Sequence, residues 1–254
     1  MSRSLAQAQF GQNAAEYLTS KPHAQGKSLE RLVDMVAPQP DWVAVDVATG
    51  AGHTAYAFAP RVARQWATDI TDEMLSLVRS EVEKRGLANI RVAHAKAEAL
   101  PFDDQSVDLV TCRIAPHHFD SIAQFLEETC RVLRSDGTLA VVDNVVPEGS
   151  IGDYINAFER FRDPSHLRAW TVEEWRHVLA EHGFHIGHDE VLWKEMEFAY
   201  WAGRHDATMQ AYLRAMLEHA TPAVTDVLRP SEHNGKLTFW LNEALFVAHP
   251  TRRD

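Results

Sequence analysis

Short apolar runs alternate with longer helical patterns through the middle of this chain, and that alternation limits the fold more than any other feature. The runs are Trp42 to Val47, Arg64 to Thr68, Ile90 to His94, Val107 to Cys112 and Thr138 to Asp143. Between them, Asp72 to Arg85 and Ser121 to Leu133 carry apolar residues at three- and four-residue steps and stop near Gly86 and Gly137. Strands separated by helices pair in parallel beneath those helices, so five βα repeats of an α/β fold are predicted. Farther on, Thr171-Val-Glu-Glu174 has the spacing of a capping box and opens a helix that ends at Gly183. A sixth strand is expected from Phe184 to about Trp193, a helix from about His205 to His219, and a last strand from Leu237 to Val247. Two inserted pieces, 147–170 and 200–230, follow strands five and six, where loops overhang the carboxyl edge of the sheet and ligands bind.

Composition narrows the class. At 254 residues, 45% hydrophobic and 24% charged, the chain has enough apolar material for one core, so a single unit over 1–254 is expected. Its formal charge of −11 repels phosphate backbones and argues against a nucleic-acid substrate. Cys112 and Cys130 are the two cysteines, too few and too scattered for a disulfide framework or a cysteine metal site, so a reducing, cytoplasmic setting is expected. No stretch approaches the apolar length of a membrane span, and MSRSLAQAQF lacks an apolar signal core.

The first run leads straight into DVATGAGHT, Asp46 to Thr54, a strand followed by a tight Gly50-Ala51-Gly52 turn and a helix. Glycines permit positive φ and close approach of a ligand to the backbone, and the helix start offers unpaired N–H groups. Asp69 ends the second strand, placed to accept hydrogen bonds from both ribose hydroxyls of a nucleotide. Gly50-x-Gly52-x-x-Ala55 alone also fits a dinucleotide fingerprint. Asp46 separates the two readings: an acid beside the turn repels a pyrophosphate but favours a ligand carrying an ammonium and a sulfonium.

With these motifs the chain resembles the class I S-adenosylmethionine-dependent methyltransferases, and within them the ubiquinone/menaquinone C-methyltransferase-like branch. The resemblance rests on DVATGAGHT, ATDITDEML (Ala67 to Leu75), AEALPFDDQSVDLVTCRIAPHHF (Ala97 to Phe119) and RVLRSDGTLAVVD (Arg131 to Asp143), and reaches FRDPSHLRAWTVEEW at Phe161 to Trp175. It implies a Rossmann-like, mostly parallel seven-stranded sheet flanked by helices, with an antiparallel last strand and helical cap insertions. S-adenosyl-L-methionine is the implied cofactor. Asp46, Ala48, Gly50 and Gly52 are then expected along its methionine part, Asp69 at the ribose, Ile70 and Met74 against the adenine, Ala97 and Glu98 at the adenine amino edge, and Arg113 with Ile114 closing the site. The amino-terminal segment, within 1–40, is implied to fold over the cofactor as a helical lid, with Tyr17, Ser20 and His23 sealing it. Two departures stand out. Ala48 occupies the place of the family's first glycine, and Lys96 stands where many relatives have an acid that accepts from the adenine amine. Lysine cannot accept that bond, so it falls to Glu98 or to a backbone carbonyl.

Methyl transfer from a sulfonium needs alignment, exclusion of water and, for an acceptor that carries a proton, one base. His117 and His118 follow the fourth strand at the acceptor end of the expected pocket, and His166 in the first insertion can reach the same cavity from above. These three are the candidate catalytic groups. Asp143-Asn144 resembles the magnesium-binding pair of catechol-type methyltransferases, but imidazoles replace the acid those enzymes use after strand four, and no metal is expected. A nicotinamide-dependent oxidoreductase and a catalytically silent cofactor-binding relative are the competing readings. The expected partner is a small-molecule acceptor, and a homodimer involving Phe239, Trp240 and Phe246 stays open.

Overall fold

A computed structural model describes Gly26 to Thr251, and Tyr17, Ser20 and His23 lie outside the described residues. The strands are β1 (Val43–Val47), β2 (Arg64–Asp69), β3 (Ile90–His94), β4 (Val107–Arg113), β5 (Leu133–Val145), β6 (Phe184–Glu197), β7 (Ser231–His233) and β8 (Lys236–Pro250). They join in one sheet in the order β3-β2-β1-β4-β5-β8-β6, with β7 paired to β8. The first five run parallel, whereas β8 enters antiparallel between β5 and β6. Central strands buried on both faces read as near-continuous apolar runs, which is why Val45 and Val110 stood out in the sequence.

The helices are α1 (Lys27–Val36), α2 (His53–Phe58), α3 (Asp72–Arg85), α4 (Ile122–Val132), α5 (Ser150–Arg162), α6 (Val172–Glu181), α7 (Phe198–Ala202), α8 (Ala207–Glu218) and α9 (Pro222–Leu228). Leu32 and Val36 of α1 and Phe58 of α2 cover one face of the sheet together with Leu109, Val142 and Leu245. Phe125 and Leu126 of α4 and Trp175 of α6 cover the other face, against Val45, Val110, Val141 and Phe246. A further core forms where α5, α7, α8 and α9 pack on the end of β6 and the start of β8, through Phe158, Trp201, Leu213, Val224 and Phe239. This cap is built from the two inserted pieces.

Several expectations change. α1 belongs to the 1–40 segment implied to be a lid, yet it covers a sheet face. Gly137 does not stop a helix: α4 runs to Val132 and passes directly into β5, where a Cβ on Gly137 would lie 3.0 Å from the Arg134 carbonyl. β6 and β8 extend beyond their expected ends as a long antiparallel pair, and β7 adds an eighth, three-residue strand. Phe239 and Phe246 fill the two cores, so their side chains offer no dimer surface.

The capping box at α6 is present: Thr171 Oγ1 accepts from Glu174 N–H at 3.0 Å, and Glu174 Oε2 accepts from Thr171 N–H at 2.8 Å. α6 brings Trp175, fully buried, onto the sheet. Thr171→Ala is therefore expected to lower unfolding free energy by about 1 kcal/mol. Urea denaturation measures it, and an unchanged midpoint would contradict the cap's role.

Candidate functional site

At the carboxyl ends of β1, β2 and β4, the glycine turn is held from behind by hydrogen bonds to neighbouring strands. Thr49 N–H donates to the Thr68 carbonyl at 2.8 Å, and Gly52 N–H to the Thr49 carbonyl at 2.9 Å. Gly50 N–H donates to Asp69 Oδ2 at 2.9 Å while Thr71 N–H donates to Oδ1 at 2.8 Å, so one carboxylate ties the turn after β1 to the end of β2. Asp46, buried at the end of β1, accepts from Thr49 Oγ1 at 2.6 Å and Thr111 Oγ1 at 2.7 Å. Burial pushes its carboxyl up to about 6, against those two hydroxyls and the Arg113 guanidinium. Burial also raises Asp69, opposed by the Gly50 and Thr71 N–H groups.

Backbone strain gathers at this edge. Ala48 sits at φ +51° and Ile114, at the end of β4, at φ +54°. The left-handed region costs an L-residue about 1–2 kcal/mol, and a β-branched one more. Gly52 has φ +87°, and a Cβ there would fall 2.5 Å from the Tyr56 ring. Gly50 has φ +53°, with nothing within 4 Å of an added Cβ. One glycine packs against the protein, and the other faces open space.

That space is a cavity of about 830 Å³. At one end stand Asp46, Ala48, Gly50, Asp69, Ile70 and Met74, and also Ala97, Glu98, Arg113 and Ile114. Every expected cofactor residue among the described ones thus lines it except Gly52, which lies behind the turn. Lys96 lines it too, as do Thr49, Thr71 and His94, which the sequence reading had not singled out. Arg113 Nε donates to Thr54 Oγ1 at 3.2 Å.

His117, His118 and His166 come together at the other end, with ring centroids 4.1 Å, 5.1 Å and 6.4 Å apart. The cause is backbone pairing: Leu167 N–H and Arg168 N–H both donate to the His117 carbonyl, which fastens the loop after α5 over the turn after β4. His117 Nδ1 is hydrogen-bonded to Asp143 Oδ1 at 2.6 Å. His118 Nδ1 lies 2.8 Å from the Ser165 carbonyl, so it must be the donor. Asn156 Oδ1 accepts from Ala169 N–H at 2.7 Å, which fixes the amide and makes His166 Nε2, 2.8 Å from that oxygen, a donor as well. Burial lowers all three imidazoles, His117 to about 4 and His118 and His166 to about 3, the latter two also through the neighbouring rings. They are neutral hydrogen-bonding groups at pH 7. Asp143 is raised well above its ordinary value by burial. Burial alone would also raise Asp163, but the Ser165 hydroxyl, Arg204 and Arg162 hold it below the usual range.

The cap completes this end with Glu159, Arg162, Met196 and Trp201. Glu159 escaped the sequence reading because a glutamate on an amphipathic helix reads as solvent-facing. Its spacing of four from Ile155 was the signal that it shares the buried stripe. Among the described residues, no group of three His, Cys, Asp or Glu side chains is arranged to hold a metal ion.

Residues 45–141 match the methyltransferase domain family. YcgJ of Bacillus subtilis, an uncharacterized methyltransferase, is 37% identical over 172 residues, 67% of this chain and 68% of YcgJ. The crystal structure of the YcgJ protein superposes with a TM-score of 0.82 at 30% identity, covering 89% of this chain and 99% of that one. This chain belongs to the S-adenosylmethionine-dependent methyltransferases. A candidate methyltransferase from Bacillus halodurans C-125 gives a TM-score of 0.84 at 32% identity, over 89% of this chain and all of the other. The UbiE C-methyltransferase of ubiquinone and menaquinone biosynthesis from Laribacter hongkongensis is 35% identical over 108 residues, 41% of this chain and 44% of UbiE. As a methyltransferase of this family the chain uses S-adenosyl-L-methionine. The residues present fit it: a buried carboxylate beside the turn suits a cationic ligand, and Gly50 leaves the backbone open to close approach.

The two positive-φ positions respond oppositely to exchange. Gly52→Ala, strained and overpacked on Tyr56, is expected to lose about 3 kcal/mol of stability. Ala48→Gly relieves left-handed strain at some entropic cost and is expected to gain about 0.5–1 kcal/mol. Thermal and urea melts measure both, and a Gly52→Ala protein as stable as the parent would contradict the packing described.

Proposed function

We propose that this methyltransferase acts in the cytoplasm on a small-molecule acceptor, which attacks the transferred methyl in line from the histidine-lined end of the cavity. The observation that carries the reading is the shared cavity: the buried acids and glycine turn stand at one end, and a polar chamber roofed by the cap stands at the other. A concave site of this size, covered by helices, suits a small organic molecule better than a polymer.

Bound S-adenosylmethionine supplies an electrophilic methyl group on a positively charged sulfur. In this reading Asp46 attracts the cationic methionine part, while Ala48 and Gly50 let it meet the backbone. Gly52 shapes the turn from behind. Asp69 accepts from the ribose hydroxyls. Ile70 and Met74 give the adenine an apolar wall, and Ala97 and Glu98 border its amino edge. Arg113 and Ile114 divide the two ends. His117, His118 and His166 exclude water and offer neutral hydrogen-bonding atoms to the acceptor, a role that their lowered basicity favours over proton removal.

The pH dependence of cofactor binding tests the Asp46 assignment. The ionised carboxylate favours a cation, so affinity for S-adenosylmethionine is expected to fall as pH drops through about 6, where Asp46 takes up its proton. Asp46→Asn is expected to bind at least about tenfold more weakly at neutral pH and to show little change over that interval. Calorimetric titrations of both proteins decide it, and parental affinity in the Asn variant would remove Asp46 from the reading.

A further inference from the structure

One group at the acceptor end serves neither the cofactor site nor the fold. Glu159 lies on α5 beside fully buried Phe158, is 6% exposed, and lines the cavity. Its Oε1 has no hydrogen-bond partner among the described residues. A buried carboxyl oxygen left unpaired carries its full desolvation penalty, and a residue kept only for packing has no reason to bear it. Trp201 Nε1 is in the same condition on the same wall, its ring held by Phe158 at a centroid distance of 4.6 Å and Phe239 at 5.1 Å. Two residues that line one chamber thus each carry a buried, unmet polar atom, one an acceptor and the other a donor.

Basicity then separates Glu159 from the histidines. Burial holds the three imidazoles at about 3 to 4, too low to take a proton efficiently at pH 7. The same burial moves a carboxyl the other way, and Glu159 is raised. The charged groups acting on it are Arg162 and Asp163 at the end of its own helix, Lys194 on β6 and Arg204 after α7, and the neutral His117, His118 and His166 line the same cavity. Three cations against one anion keep its ionised form within reach.

We propose that Glu159 is the catalytic base for the methyl acceptor, taking the proton of an O–H or N–H group, while Trp201 Nε1–H donates to a second polar atom of the same molecule. The proposal rests on the methyl-transfer reading above. The acceptor's O–H or N–H bond breaks, its proton passes to the Glu159 carboxylate, and the electron pair of that oxygen or nitrogen forms the new bond to carbon. The pair of the broken carbon–sulfur bond stays on sulfur, which becomes neutral. The substrate class is accordingly a compact molecule with a hydroxyl or N–H group and a neighbouring hydrogen-bond acceptor.

The test uses the full chain as wild type, Glu159→Gln, Glu159→Asp and Trp201→Phe. Calorimetry with S-adenosylhomocysteine comes first, and affinity is expected to stay within about twofold in every variant, which controls for folding and for the cofactor site. Transfer of labelled methyl to phenol, catechol, ethanolamine and histamine is then followed between about pH 5.5 and 8.5. For the probes that react, Glu159→Gln is expected to lower kcat at least about 100-fold with little change in KM, and to abolish the rise of rate with pH. Glu159→Asp retains that rise at reduced rate, and Trp201→Phe raises KM. Catechol binding to the S-adenosylhomocysteine complex, read by calorimetry, is expected to stay within about twofold in Glu159→Gln, which places the loss in the chemical step. Transfer within about threefold of wild type in Glu159→Gln, or no transfer to any probe by a wild type that binds S-adenosylhomocysteine, overturns the proposal and leaves the cofactor reading intact. Failure of wild type to bind S-adenosylhomocysteine overturns the methyl-transfer reading, and the proposal with it.

Discussion

The hydrogen bond from Gly50 N–H to the Asp69 carboxylate joins the turn after β1 to the end of β2, and the site at the sheet edge depends on it. Without that acceptor the Gly50 N–H would lose its partner, and the left-handed backbone at Gly50 would lose a contact that holds it. Asp46 supports the same turn from beneath through Thr49 and Thr111. Two carboxylates, one on β1 and one on β2, are therefore buried around one turn, at a desolvation cost visible in their raised pKa values. Such a cost is tolerable where a cationic, hydroxyl-bearing ligand fills the space they face.

The other end of the cavity is governed by the cap. Its core around Phe158, Trp201 and Phe239 is separate from the cores that cover the sheet, so the roof over the acceptor can vary while the turn beneath stays fixed. What ties roof to floor is the pairing of the loop after α5 with the His117 carbonyl, which also brings His166 from the cap to His117 and His118 from the sheet. Cofactor chemistry and acceptor choice are thereby carried by different parts of the chain.

Local physics made much of this legible. The runs leading to β1 through β4 announce themselves by a local apolar pattern, the helix Asp72–Arg85 and the Thr171 capping box rest on interactions between residues near in sequence, and all stand where the sequence put them. The insertion of β8 between β5 and β6 left no local trace, because antiparallel pairing over a hundred residues is decided by tertiary packing. Gly137 looked like a helix stop by residue type alone, although it lies inside β5, where an added Cβ would meet the Arg134 carbonyl, the Leu133 side chain and the Asp108 carbonyl. The backbone strain at Ala48 left no trace in the sequence, since volume is visible there and a φ of +51° is not. Glu159 was hidden by the habit of assigning acids to the wet face of a helix.

The central claim is that Asp69 both anchors the turn and receives the ribose, and calorimetry of Asp69→Ala with S-adenosylhomocysteine tests it most directly. Loss of more than about tenfold in affinity, in a protein that still melts cooperatively, is the predicted result. Affinity equal to the parent's would contradict that claim, because the cofactor would then be held by groups other than Asp69.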